Sequence, residues 1–191
     1  MPRLFVAIDL PEPVKPPLSR LASEVSGAKL VGTGELHLTL RFIGEVDEDT
    51  CSAIKTALSA VSFTRFPMSL LGVGHFPPYG YPRVLWVGVE HRYELLLLQK
   101  DVESALQQTG IPAEERRFSP HITLARLKGT PSAMVTRFEA SHRDLYFPPF
   151  EVAEFILYSS VLTPHGAVHS KEAVYRYADA PPRPSPITAT R

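Results

Sequence analysis

HLTL at residues 37–40 and HITL at residues 121–124 decide how this chain is read. Successive side chains on a β-strand point to opposite faces, so residues two apart share one face. His37 and Thr39 therefore face one way while Leu38 and Leu40 pack the other. His121 and Thr123 repeat the arrangement against Ile122 and Leu124.

The elements flanking the two motifs also repeat. Leu4 to Leu10 (LFVAIDL) reads as a mostly buried strand. Leu18, Leu21, Ala22 and Val25 then recur at helical spacing, with Pro16 and Pro17 in the first turn and Gly27 to end the helix. The first HxT strand, Leu36 to Ile43, leads into a helix capped by Asp47 or Asp49, with Cys51, Ile54, Leu58 and Val61 on one face, and then a strand from Met68 to Val73. The order starts again with a strand, Arg83 to Glu90. Leu95, Leu98, Val102, Ala105 and Leu106 mark a helix ending at Gly110. HITLARL, a helix from Pro131 to Ser141 and a strand from Val152 to Leu162 follow, with Glu172 to Ala178 as an extra strand. His121 lies 84 residues after His37, and Phe150 lies 84 after Phe66, each expected to open the strand after its helix. Chance can place two tetrapeptides, but it does not repeat their neighbours in order. The reading is a duplicated αβ unit whose copies face each other across a pseudo-twofold, with both HxT strands lining a central cleft.

Composition narrows the function. Twenty basic residues balance twenty acidic ones, so an anionic ligand must be held by a local site rather than by a global field. The single cysteine, Cys51, excludes an internal disulfide and a cysteine-rich zinc cluster, and its helical setting makes it a packing residue. The N-terminal apolar run is too short for a signal sequence, and no stretch approaches the ~20 apolar residues that span a bilayer. A cytoplasmic protein is expected. Nineteen prolines fall between elements, and APPRPSPITATR reads as a flexible tail over 180–191, leaving residues 1–179 as one folded domain.

Two histidines across one phosphate suit acid–base chemistry, because a pKa near 6.5 lets one be protonated and the other neutral at the same pH. One protonates the leaving oxygen while the other takes a proton from the attacking hydroxyl or water, each commonly adding ~10²–10⁴ in rate. Thr39 and Thr123 can donate to non-bridging oxygens. Arg126, five residues after His121, should face away by strict alternation and can reach the site only through a bulge or the strand's end. Arg41 has even spacing from His37 and should face the cleft, with an exposed strand arginine as the plain alternative.

HLTLRFIGEV, SPHITLARL, LFVAIDLP and PRVLWVGV together resemble the two-histidine phosphoesterase superfamily, in particular its RNA 2′,3′-cyclic phosphodiesterase branch, also called 2′-5′ RNA ligase. The similarity runs from about Leu4 to Tyr177. It implies a bilobal α+β fold with antiparallel sheets, each lobe mixing segments from both halves of the chain. It also implies no metal or nucleotide cofactor, and opening of a terminal 2′,3′-cyclic phosphate to a 2′-phosphomonoester, with the reverse reaction giving a 2′-5′ linkage. By this resemblance His37 is the proton donor to O3′, His121 the acceptor that activates water, and Thr39 and Thr123 the phosphate holders. The implied partner is an RNA end or small cyclic nucleotide, met by a monomer. In AKLVGTGELHLTL the sequence departs from relatives, which often have an aromatic near Leu30 and a proline near Gly32. The loop GHFPPYGYPR, with His75, Tyr79 and Tyr81, is a candidate for stacking a nucleobase, or simply a proline-stiffened surface loop.

Three other readings compete. His165 and His169 in HGAVH suggest a metal pair, but Thr163, Pro164 and Gly166 point to a turn with no further ligand, so these read as loop histidines. His91 and His142 read as solvated. A non-catalytic phosphate or nucleotide binder fits the same cleft, although it has no need of both histidines and both threonines. Arg116 and Arg117 could touch an RNA backbone or merely sit in a solvated turn.

Overall fold

Leu4 to Ile8 are all buried, so the first strand is covered on both faces, which explains its unbroken apolar run. The computed structural model describes residues 2–163 and 166–177, so the expected tail and His165 lie outside the described residues. Its strands are β1 (Arg3–Asp9), β2 (Ala28–Leu30), β3 (His37–Glu45), β4 (Phe66–Phe76), β5 (Val84–Val89), β6 (His121–Leu127), β7 (Tyr146–Val152), β8 (Glu154–Thr163) and β9 (Gly166–Arg176). The helices are α1 (Lys15–Ser23), α2 (Glu48–Ser59), α3 (Tyr93–Gln107) and α4 (Ser132–Ser141). Prolines occupy the first turn of α1, and the Asp47 side chain caps α2 by accepting from the Thr50 N–H at 2.7 Å. Gly27 and Gly110, each just past a helix end, have φ of +76° and +85°, a left-handed backbone that glycine adopts without strain.

The fold is α+β, and every strand pair is antiparallel. The strand order is β7-β4-β5-β6-β3-β1-β8-β9, with β2 added beside β6. At the centre β6 meets β3 through one residue pair, Leu38 with Ile122. Outward from that junction the order mirrors itself: β1 and β5 flank the HxT strands, then β8 and β4, then β9 and β7. β4, from the first repeat, pairs beside the second repeat's β5, while β8 pairs beside β1. Helices cross over too: α3 packs on β3 and against α2, while α1 packs on β6 and β2.

Several element expectations need correction. β2 and β7 are additional strands. Phe150 opens neither strand that follows α4: it sits inside β7, opposite Met68, while β7 begins at Tyr146 and β8 at Glu154. The expected turn around HGAVH is strand from Gly166 onward, because β9 pairs with β8 from Thr163–Gly166 to Glu154–Arg176. Local glycine and proline content suggested a turn there, and cross-strand pairing overrode it.

Candidate active site

Each HxT strand carries a β-bulge directly after its motif. Along β1, Val6 pairs with Arg41 and Ala7 with Thr39, which skips Leu40. Along β5, Leu85 pairs with Ala125 and Trp86 with Thr123, which skips Leu124. An extra residue inverts the alternation beyond it. Leu40 and Arg41 are consequently both buried, as are Leu124 and Ala125, while Phe42 and Arg126 turn to the cleft.

The two motifs come together around one cavity of about 410 Å³, lined by His37, Thr39, His121, Thr123 and Arg126. The Leu38–Ile122 pair at the sheet junction is what sets them side by side. The His121 Nδ1 is 2.7 Å from the Ser119 carbonyl, which only accepts, so the neutral form of this ring carries its proton on Nδ1 and its lone pair on Nε2. Phe76 lies edge-on to this ring at 4.9 Å and Trp86 packs at 6.4 Å. Trp86 can lie there because a Cβ at Gly74 would overlap its ring. His37 likewise donates to a carbonyl two residues earlier, that of Glu35.

His37 has a drier setting. It stacks on Phe5 at 4.9 Å, and Phe5 stacks on Tyr158 at 5.2 Å. The Tyr158 hydroxyl donates to Asp9 Oδ1 at 2.6 Å and Lys171 Nζ to Asp9 Oδ2 at 2.8 Å, which ties this aromatic stack to the sheet. Burial works against the Asp9 charge, but the hydrogen bonds from Lys171 and Tyr158 outweigh it and hold the carboxyl below its ordinary value. Burial and then the Asp9 carboxylate push the Tyr158 hydroxyl up. Burial above all, then the charge of neighbouring His169, lowers the His37 pKa to about 4, with Glu35 and Asp9 pulling the other way.

Arg41 requires correction. Its Nε lies 2.7 Å from Glu103 of α3, Nη1 donates to Glu114 at 3.1 Å and Nη2 to the Pro112 carbonyl at 2.6 Å. The Glu103 contact is close but poorly aligned for a hydrogen bond, so it acts as an ion pair. Arg41 thus braces α3 against β3, and the bulge is why. Tyr79 and Tyr81 are 88% and 77% exposed and do not line the cavity. His75 pairs with Glu139 of α4 at 2.6 Å. His142, expected in solvent, is partly buried, donating to the Phe138 carbonyl and facing Glu24 at 3.3 Å. Arg116 is exposed and pairs with Glu114; Arg117 is exposed.

The sequence reading missed Arg3, Phe5, Lys29, Phe42 and His169, which also line the cavity. Phe5 and Arg3 share a β1 face with Ala7, but the continuous apolar run conceals which face meets the cleft. Among the described residues, no set of three His, Cys, Asp or Glu side chains is placed to hold a metal ion, and no helix is long and apolar enough to cross a membrane.

A model of the 2′-5′ RNA ligase superfamily matches residues 10–163. The chain belongs to this superfamily. Among the superfamily's proteins, the RNA 2′,3′-cyclic phosphodiesterase of Archaeoglobus fulgidus is 39% identical over 177 residues, covering 91% of this chain and 99% of the relative. The crystal structure of TT0787 of Thermus thermophilus superposes with a TM-score of 0.73 at 29% identity, over 91% of this chain and 97% of that one. E. coli LigT complexed with NADP+ gives a TM-score of 0.72 at 26% identity, over 92% and 97%. As a 2′-5′ RNA ligase superfamily member, the chain carries its two HxT motifs on pseudo-symmetric bulged strands rather than on equivalent loops.

Proposed function

We propose that this chain hydrolyses RNA or nucleotide 2′,3′-cyclic phosphate ends to 2′-phosphomonoesters, and that the same site can run in reverse to a 2′-5′ linkage. The observation that carries the reading is the convergence of both His–Thr pairs and Arg126 on one cavity. The names of the relatives support the substrate class. His121, its Nδ1 proton held by Ser119, offers a ring lone pair that takes a proton from water as the water oxygen bonds to phosphorus. The P–O3′ bond breaks and His37 gives its proton to O3′, leaving the phosphate on O2′. Thr39, Thr123 and Arg126 hold the non-bridging oxygens.

A donor must be protonated, and His37 is neutral at pH 7 in the free protein because its pKa is about 4. A phosphate anion arriving beside it favours the imidazolium, so the substrate itself raises the acid it needs. In the ligation direction the roles reverse, and a neutral His37 is then the appropriate base. The protein is taken to act as a cytoplasmic monomer.

The test is turnover of a 2′,3′-cyclic nucleotide in EDTA by wild type, His37→Ala and His121→Ala, with the phosphate position read by phosphorus NMR. Wild type should release the 2′-phosphomonoester and both variants should lose it. Undiminished turnover in either variant refutes the two-histidine chemistry. Binding without wild-type turnover points to a phosphate-binding module instead.

A further inference from the structure

A third histidine stands in the cavity, on the opposite strand pair from His121. His169 of β9 sits opposite Ser160 of β8, and this hairpin, through Ser160, Ala167 and His169, walls the His37 side of the cavity. Its ring is edge-on to His37 at 5.6 Å and 85°, and edge-on to Phe5 at 4.9 Å and 73°. The Phe5 contact fixes the ring, so its orientation is set before any ligand arrives.

The two ring nitrogens are not equivalent. Nδ1 of His169 is buried and has no hydrogen-bond partner. A buried bare lone pair costs less than a buried unpaired N–H, so the neutral ring carries its proton on Nε2. Because Nδ1 is the nitrogen shut away, Nε2 is the one left to serve the cavity that His169 lines. His121 shows the opposite tautomer, with its proton on Nδ1. Two imidazoles in one cavity are thereby set up for opposite tasks, one accepting and one donating.

We propose that His169 is a further substrate-contacting residue, whose Nε2–H donates to a phosphate oxygen on the leaving-group side, beside His37. The proposal rests on the phosphodiesterase reading, in which His37 faces the departing O3′. Negative charge grows on that ester as the P–O bond breaks, so a fixed donor there binds the transition state more tightly than the substrate. The role also explains why the hairpin carries a polar ring edge-on to the stacked Phe5 and His37, where a phenylalanine would pack as well.

The experiment compares His169→Phe with His169→Gln on a 2′,3′-cyclic nucleotide, alongside wild type and His37→Ala. Wild-type turnover that His37→Ala abolishes establishes the underlying reading, and absence of wild-type turnover would refute that reading whatever His169 does. Phenylalanine keeps the ring packing and removes the donor. It should cut kcat/KM roughly 10- to 100-fold, mostly in kcat, as expected for a lost hydrogen bond to a charged group. Glutamine restores an N–H near the Nε2 position and should recover most of that loss. Both variants should melt with wild type; if the phenylalanine variant melts early, His169→Leu provides the donor-free comparison. A donor-free variant with wild-type kcat, or donor-free and glutamine variants equally impaired, overturns the proposal.

Discussion

His37 and His121 hold the same position in two bulged strands. Each precedes its threonine by two residues, and each ring donates to the carbonyl two residues before it. Their surroundings differ. His37 is enclosed by Phe5 and His169, and its pKa falls to about 4, whereas His121 rests between Phe76 and Trp86. Three residues past each threonine the divergence continues, with Phe42 facing the cleft from β3 and Arg126 from β6. Arg3 lies over the Phe42 ring at 4.9 Å, so a cation is present at that end as well, held by an aromatic instead of emerging from the HxT strand. One backbone device occurs twice, and side-chain differences around it give the two histidines different settings.

The largest expected effect comes from removing either half of the pair. His37→Ala and His121→Ala should each lower kcat by ~10²–10⁴, and the double variant should be little worse than either alone, because the two act as one unit. Steady-state kinetics decide it: losses that multiply in the double variant would mean the histidines work independently.

Arg41 and Arg126 offer the next contrast, one cation on each side of the bulges. Arg41→Ala leaves Glu103 without its cation, in a setting where Arg41 is 10% and Glu103 15% exposed, and leaves Glu114 only its exposed Arg116 partner. A loss of about 3 kcal/mol is expected, a fall of roughly 8 °C in melting temperature. Arg126→Ala should leave the melting temperature unchanged and raise KM by about 10-fold. Calorimetry and kinetics on the two variants should give opposite patterns, and matching patterns would contradict the bulge assignment.

Gly74→Ala tests the support under His121. The new methyl must displace Trp86, which should cost about 1–3 kcal/mol of stability and lower kcat through His121, while the His37 side is left alone. Altered tryptophan fluorescence together with wild-type kcat would show that Trp86 does not position the ring.

The smallest effect is on pH-dependent stability. The unfolded chain protonates residue 37 near pH 6.5, but the native ring resists down to about 4, so the unfolded state binds more protons between these values. The stability from His37 is therefore present above pH 6.5 and declines as pH falls toward 4. Between pH 7 and pH 6 the loss is roughly 0.7 kcal/mol. Urea titrations of wild type and His37→Phe should diverge over that range, with the variant flatter; parallel curves would place His37 in water.

Much of this was legible locally. Alternation in HLTL and HITL put each His with its Thr, because a strand's period is two wherever no bulge intervenes. Helical spacing placed Leu18, Leu21 and Ala22, and likewise Ile54 and Leu58, in the core. Legibility ended one residue past each motif. No composition rule marks Leu40 or Leu124 as a bulge, so Arg41 was expected in the cleft and went to α3, while Arg126 needed the bulge to enter it. His169 was misread because HGAVH has turn-forming neighbours and its strand exists only through pairing with β8.

The sequence by itself determined most of the α+β elements, the repeat and the identity of the four motif side chains, since these follow from periodicity and spacing within a few residues. Tertiary structure alone decided which side chains share the cavity. That depends on register, on two one-residue bulges and on the Leu38–Ile122 junction, contacts between segments distant in the chain that no local pattern encodes.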